Sequence, residues 1–234
     1  RGWFYTLHAI STMVFDNVAY KSVVSNGLVL DKHGVKMSKR LNNAIDPFKT
    51  LDTYGADATR WYMISNAQPW DNLKFDLDGV GEVTRKFFGT LHNTYNFFAL
   101  YANIDDYKGT EAEVAQSDRP EIDRWILSRM HTIAAEIHAA FEDLEPTKAA
   151  RLLQNFVTDE LSNWYVRLNR QRFWKGDLND DKLSAYQTLA TCLKTCAILG
   201  SPIAPFFMDR LYRDVNEGLG VSRDGAENSV HLAD

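Results

Sequence analysis

The spacing of apolar positions divides the chain into two unequal stretches. The first forty residues are mixed: an apolar run from Trp3 to Val14, then Ser22-Val23-Val24-Ser25, the pair Asn26-Gly27, and Leu28-Val29-Leu30. Asn-Gly tolerates positive φ at both central turn positions, so this order predicts two short strands joined as a hairpin. A second turn, Asp31-Lys32-His33-Gly34, follows. Between Asp46 and Leu77, Pro47 predicts a short helix, Gly55 breaks it, and residues 56–64 resume a helical period that ends before Pro69-Trp70-Asp71-Asn72.

From Gly79 the period is helical almost without relief. Phe87, Leu91, Thr94, Tyr95, Phe98 and Tyr101 share one stripe, and after an acid-rich connector over 103–119 a second stripe runs from Ile122 through Ile126, Met130, Ile133, Ile137, Ala140 and Phe141 to Leu144. Pro146 opens a further helix reaching Leu168, and two more are expected over 181–199 and 204–217. Helices joined by short connections pack most simply as an antiparallel bundle. The expected fold is therefore an α/β remnant followed by a mainly α-helical bundle.

Composition narrows the function classes. The chain has 234 residues, 45% of them apolar or aromatic and 24% charged, which is ample for a packed core. No apolar run approaches the roughly 18 residues that cross a bilayer. No membrane partner is expected, and a cytoplasmic location is the default expectation. Since the text enters Trp3-Phe4-Tyr5 directly after Arg1, the chain is expected to be a fragment of a longer polypeptide. Twenty-six basic against 31 acidic residues give a net charge of −5, which argues against a protein that coats DNA or other nucleic acid through overall charge; such contact needs a local patch. Cys192 and Cys196, four apart in a helical pattern, read as core thiols. Two thiols do not complete a zinc site, and His8, His33, His92, His131 and His138 have no close ligand spacing, so no metal site is expected.

Two patches carry candidate chemistry. Residues 31–40 set Lys32, Lys36, Lys39 and Arg40 against one acid, Asp31, in a loop that contains Gly34. Ammonium groups follow a phosphate as charge builds in a transition state, and Ser38 adds a hydroxyl between them, although a solvated basic turn has the same charge density. Residues 164–175 hold Arg167, Arg170, Arg172 and Lys175 with no acid, among Trp164, Tyr165, Phe173 and Trp174. Helical spacing puts Leu161, Trp164, Tyr165 and Leu168 on one side and Asn163, Arg167, Arg170 and Trp174 on the other. Guanidinium and indole planes together suit unstacked RNA bases, while Arg172 falls toward the packed side. Asp57 and Arg60, three apart, are expected to pair locally or to position the preceding loop.

Residue order then adds a family. Lys36-Met37-Ser38-Lys39-Arg40 resembles the KMSKS signature of class I aminoacyl-tRNA synthetases, with arginine in place of the last serine. Arg1-Gly2-Trp3-Phe4, the segment Tyr54–Arg60, the segment Glu145–Arg151 and Leu161-Ser162-Asn163-Trp164-Tyr165-Val166-Arg167 are similar to segments of the isoleucine-specific members in order and spacing. The resemblance covers nearly the whole chain. It implies the end of a Rossmann-type catalytic domain over 1–45 with the KMSKR loop, a connecting stem-contact region over 46–78, and a helical anticodon-binding domain over 79–234. It further implies ATP with Mg2+ as cofactor, with isoleucine and tRNA(Ile) as partners. Lys36, Ser38 and Lys39 would act on the triphosphate within an ATP-binding loop completed by Met37 and Arg40. Trp3 would line the amino-acid pocket, and Asn163, Arg167, Arg170 and Trp174 would meet the tRNA. The family's HxGH element does not occur in these residues, so the chain alone is expected to be inactive. A noncatalytic tRNA-binding module, or a valyl- or leucyl-type segment, remains open at this point.

Overall fold

The computed structural model describes residues 2–220 and 228–233, the side chain of Lys39 excepted; Arg1 of the Arg1–Phe4 segment lies outside them. Helix α1 (Trp3–Phe15) comes first and buries none of its residues. Strand β1 (Val29–Leu30), helices α2 (Pro47–Tyr54) and α3 (Ala56–Asn66), and strand β2 (Leu73–Lys74) complete the N-terminal part. Helices α4 (Leu77–Val83), α5 (Gly89–Ile104), α6 (Glu121–Glu142), α7 (Pro146–Asn155), α8 (Arg167–Trp174), α9 (Asp180–Gly200) and α10 (Pro205–Gly218) form the bundle. Two π-helical stretches, Thr84–Phe88 and Phe156–Val166, join α4 to α5 and α7 to α8 without a break.

The expected hairpin at Asn26-Gly27 does not form. Residues 22–25 make no strand, and β1 instead pairs in parallel with the distant β2, Val29 opposite Leu73 and Leu30 opposite Lys74. Gly27 serves close approach rather than a turn: a Cβ there would lie 2.0 Å from the Asp71 carbonyl oxygen, and its N–H donates to the Pro69 carbonyl at 2.8 Å. The chain reverses at the next turn instead, where Gly34 takes φ +83° and Leu30 bridges antiparallel to Lys36. A two-residue β signal says that a turn can form, and the backbone of 69–72 decides that it does not.

Helix starts follow their caps. The Asp46 carboxylate accepts from the N–H groups of Phe48 and Lys49 at 2.9 and 3.4 Å with Pro47 in the first turn, and Asn179 accepts from Lys182 N–H at 2.9 Å. The α6 stripe buries as expected from Ile126 to Ala140, but Leu144 lies beyond the helix end at φ 58° and is exposed. One continuous core then joins α3 to the bundle: Trp61 is fully buried and stacks on Phe87 with ring centroids 4.2 Å apart.

The polar centre of the bundle is Asp123, which has no exposed surface. Its carboxylate accepts from Tyr165 Oη at 2.8 Å, Ser184 Oγ at 2.6 Å, and both terminal nitrogens of Arg172 at 2.7 and 2.9 Å. Arg172 also reaches Asp181, so its packed-side placement is structural. Burial, then the Asp123 charge, pushes the Tyr165 hydroxyl well above its ordinary pKa and keeps it a donor. One carboxylate thus binds α6, the second π-helical stretch, α8 and α9.

Removing one member of a buried ion pair leaves the other charge uncompensated, so Asp123→Ala is expected to cost ~3–5 kcal/mol and to lower the thermal midpoint by roughly 10 °C in circular dichroism. Cys192 and Cys196 are fully buried, and burial pushes the Cys196 thiol up to about 12 from 9.0. Native protein at pH 8 should therefore resist alkylation by iodoacetamide and react at both positions only once unfolded. Their neutral forms support the fold below pH 9 and lose that support as pH climbs toward 12.

Candidate functional site

The basic loop is built on a polar frame made by Asp31, Ser38 and Asn43. The Asp31 carboxylate accepts from the N–H groups of His33 and Val35 at 3.0 and 2.8 Å and from Asn43 Nδ2 at 2.9 Å. Asn43 Oδ1 accepts from Ser38 N–H at 2.9 Å, and Ser38 Oγ accepts from Leu41 N–H at 3.2 Å, capping the 3-10 turn Lys39–Leu41. Lys36 and Arg40 are exposed, while Met37 and Ser38 are half-buried. The Leu41 bond uses the Ser38 hydroxyl only as an acceptor, so its hydrogen can still be donated. The amide of Asn43, followed by the Val35 N–H, holds the Asp31 carboxyl below its ordinary 3.8.

The second patch lies on the α7–α8 run. Asn163, Arg167, Arg170 and Trp174 are all exposed, with Trp174 at 50%, whereas Leu161, Tyr165, Val166, Asn169 and Phe173 are buried. Trp164 and Leu168, expected on the packed side, are instead 56% and 54% exposed. The π-helical stretch Phe156–Val166 is the cause: each wider turn holds more residues than an α turn, which rotates everything after it and brings Val166 and Asn169 inward in their place. The exposed face is thus broader and more apolar than a regular helix would make it. Trp3 sits on α1 and is 83% exposed, so no described residues close a pocket around it.

Two polar clamps tie α3 to the bundle. Asp57 and Arg60 do not pair with each other as expected. Asp57 Oδ2 accepts from Phe207 N–H at 2.6 Å at the start of α10, and Arg60 Nε donates to the Ile203 carbonyl at 2.8 Å. Burial raises the Asp57 pKa. At the other end of α3, Thr147 Oγ1 donates to the Ile64 and Ala67 carbonyls at 2.8 and 3.0 Å, and Arg151 Nε to the Ser65 carbonyl at 2.7 Å.

Known proteins share this arrangement. A family model of class I tRNA synthetases (I, L, M and V) matches residues 1–76, and one of the anticodon-binding domain of tRNA ligase matches residues 123–234. Isoleucine–tRNA ligase of Cytophaga hutchinsonii is 63% identical over all 234 residues, which are 21% of its length. That of Bacteroides thetaiotaomicron is 64% identical over the same span, 20% of its length. The chain belongs to the class I aminoacyl-tRNA synthetases. It spans about a fifth of the length of the curated relatives it matches. At 17% identity the fold also matches Agrobacterium radiobacter LeuRS, solved with tRNA and LeuAMS, at TM-score 0.67 over 90% of this chain and 24% of that one. Mycobacterium tuberculosis methionyl-tRNA synthetase bound by methionyl-adenylate gives TM-score 0.66 at 17% identity over 81% of this chain and 37% of that one.

In this synthetase segment the residues that sequence reasoning passed over are those holding the sites rather than those offered to ligands. Asp31, Asn43, Thr147 and Arg151 act on groups 2 to 86 positions away. Asp31 alone carried a signal, a short acid opening a Gly-containing turn. Because its carboxyl sits below the ordinary 3.8, the turn is supported at and above that pH and loses support as pH falls through the lowered value. Asp31→Ala should speed hydrogen exchange at the His33 and Val35 amides at neutral pH, read by NMR, with the α6 and α9 amides unchanged.

Proposed function

We propose that this chain is the part of an isoleucine–tRNA ligase that supplies the ATP-phosphate loop and the anticodon helices. The observation that carries the reading is its identity with isoleucine–tRNA ligases, 63 and 64% across the whole chain, against 17% with the leucyl enzyme of similar fold. The division proposed is 1–45 as the end of the catalytic domain, 46–78 as the stem-contact region, and 79–234 as the anticodon-binding domain. The complete reaction joins isoleucine to the ATP α-phosphate with release of pyrophosphate, then passes the isoleucyl group to tRNA(Ile) with release of AMP. It takes place in the cytoplasm, where tRNA is charged; no helix among the described residues is long and apolar enough to cross a membrane.

In this reading Lys36 and Lys39 neutralise the triphosphate and the departing pyrophosphate, within a loop that also includes Met37 and Arg40. Ser38 donates a weaker hydrogen bond from the hydroxyl that its bond to Leu41 leaves free. Phosphoryl chemistry needs position and charge screening more than covalent help, and a preformed frame beneath the cations supplies the first. Arg40, in the family's serine position, adds a third cation. Mg2+ would accompany ATP, but the loop fits no dication: its residues are cations and a hydroxyl, and both Asp31 oxygens are engaged within the turn. Among the described residues no cluster of three or more His, Cys, Asp or Glu could hold a metal. Trp3 would form a wall of the isoleucine pocket together with catalytic-domain residues outside this chain.

For tRNA(Ile), Arg167 and Arg170 meet phosphates or splayed anticodon bases, Trp174 offers a stacking plane, and Asn163 a hydrogen-bonding amide. Two measurements test this. Arg167→Ala and Arg170→Ala should each weaken binding of the chain to tRNA(Ile), and each phosphate left without its cation should flatten the dependence of log K on log salt by ~0.7. Trp174→Ala should cost ~1–3 kcal/mol if a base stacks there. Unchanged affinity and unchanged slope in the arginine variants would remove the anticodon assignment. The isolated chain should catalyse no isoleucine-dependent ATP–pyrophosphate exchange; exchange by this chain would contradict the division of labour.

A further inference from the structure

The backbone between Lys36 and Lys39 has no ladder to hold it. The Leu30–Lys36 bridge lies before it and the Lys39–Leu41 turn after it. One side chain fills that gap. Asn43 Oδ1 accepts from Ser38 N–H at 2.9 Å, and its Nδ2 donates to the Lys36 carbonyl at 3.3 Å and to Asp31 Oδ2 at 2.9 Å. The amide has one acceptor oxygen and two N–H donors, and all three are directed into the loop's own frame. Within the same stretch, Met37 packs against the core and lines an apolar cavity of about 350 Å3 together with Val29, Ile45, Leu51, Met63 and Phe75. The backbone that carries Lys36 and Ser38 is thus held by the Asn43 amide and by the packing of Met37.

We propose that Asn43 is a positioning residue for amino-acid activation: it fixes the Lys36 carbonyl and the Ser38 N–H, and through them aims the Lys36 ammonium and the Ser38 hydroxyl at the ATP phosphates, with Asp31 as its anchor. This rests on the phosphate-loop reading given under Proposed function. Asn43 is not a catalytic residue, because its polar atoms are occupied by the loop itself. Its effect is confined to where the cations stand.

The test uses the complete isoleucine–tRNA ligase that contains this chain and measures isoleucine-dependent ATP–pyrophosphate exchange. Asn43→Ala should lower kcat/KM for ATP by ~10- to 100-fold, the cost of misplacing a reacting or screening group by about an ångström. KM for isoleucine, affinity for tRNA(Ile) and the melting temperature should stay within error of the parent. Asn43→Asp keeps the size and the acceptor for Ser38 N–H but removes both donors and sets a second carboxylate against Asp31, so it should lose exchange as well while staying folded. A double-mutant cycle separates positioning from general damage. If Asn43 acts through Lys36, the loss caused by Asn43→Ala should shrink ~3-fold or more in a Lys36→Ala background. Wild-type exchange by both Asn43 variants, or an equal factor of loss in both backgrounds, overturns the assignment while leaving the phosphate reading in place. Full exchange by Lys36→Ala overturns the phosphate reading, and the role of Asn43 with it.

Discussion

A buried carboxylate governs the geometry of the helical part. Asp123 has no access to water, and four donor groups from three different segments converge on it. A buried ion pair adds little net stability over apolar packing, but it is intolerant of partial satisfaction, so the elements that carry its partners have one acceptable arrangement. Arg172 and Tyr165 therefore set the rotation of the helix whose opposite side exposes Arg167, Arg170 and Trp174. The charge turned inward determines which charges are turned outward.

The N-terminal part depends on the bundle in a second way. A two-residue parallel pair such as β1–β2 is too small to stand alone, and α1 buries nothing among the described residues. The loop-bearing segment gains its rigidity through α3, which the bundle grips at both ends. Arg60 meets carbonyls in the turn between α9 and α10 and Asp57 an amide in the first turn of α10, while Thr147 and Arg151 take up the carbonyls where α3 ends. Helix ends present unpaired backbone groups, and here the tertiary partner satisfies them instead of a local cap. The basic loop precedes α2 by a few residues, so its frame is continuous with that grip.

The helices from α2 onward, most of the core stripes, the buried cysteines and the inward turn of Arg172 are legible in the sequence, because each depends on period, caps and spacing within a few residues of chain, whereas the apolar run Trp3–Val14 gave no sign of the exposed helix α1. Helix boundaries after Pro47, Pro146 and Pro205 follow from the proline ring itself. The hairpin was misread because Asn26-Gly27 has two physical uses, and only the backbone of Asp71 shows which one applies. Trp164 and Leu168 were misplaced because a regular helical period was carried through a stretch that relaxes into wider turns. The Asp57–Arg60 spacing suits an ion pair, but the two side chains bond instead to distant backbone, Asp57 to the Phe207 N–H and Arg60 to the Ile203 carbonyl.

The amino-acid order by itself determined the family, the helical pattern and the residue types presented at each patch, since these depend on side-chain chemistry and near neighbours. Tertiary structure alone decided which side of a helix faces water, where the chain pairs as a strand, and that Asn43 rather than a lysine organises the basic loop. Those outcomes depend on groups up to 61 positions apart in the chain, and no local pattern records an interaction of that range.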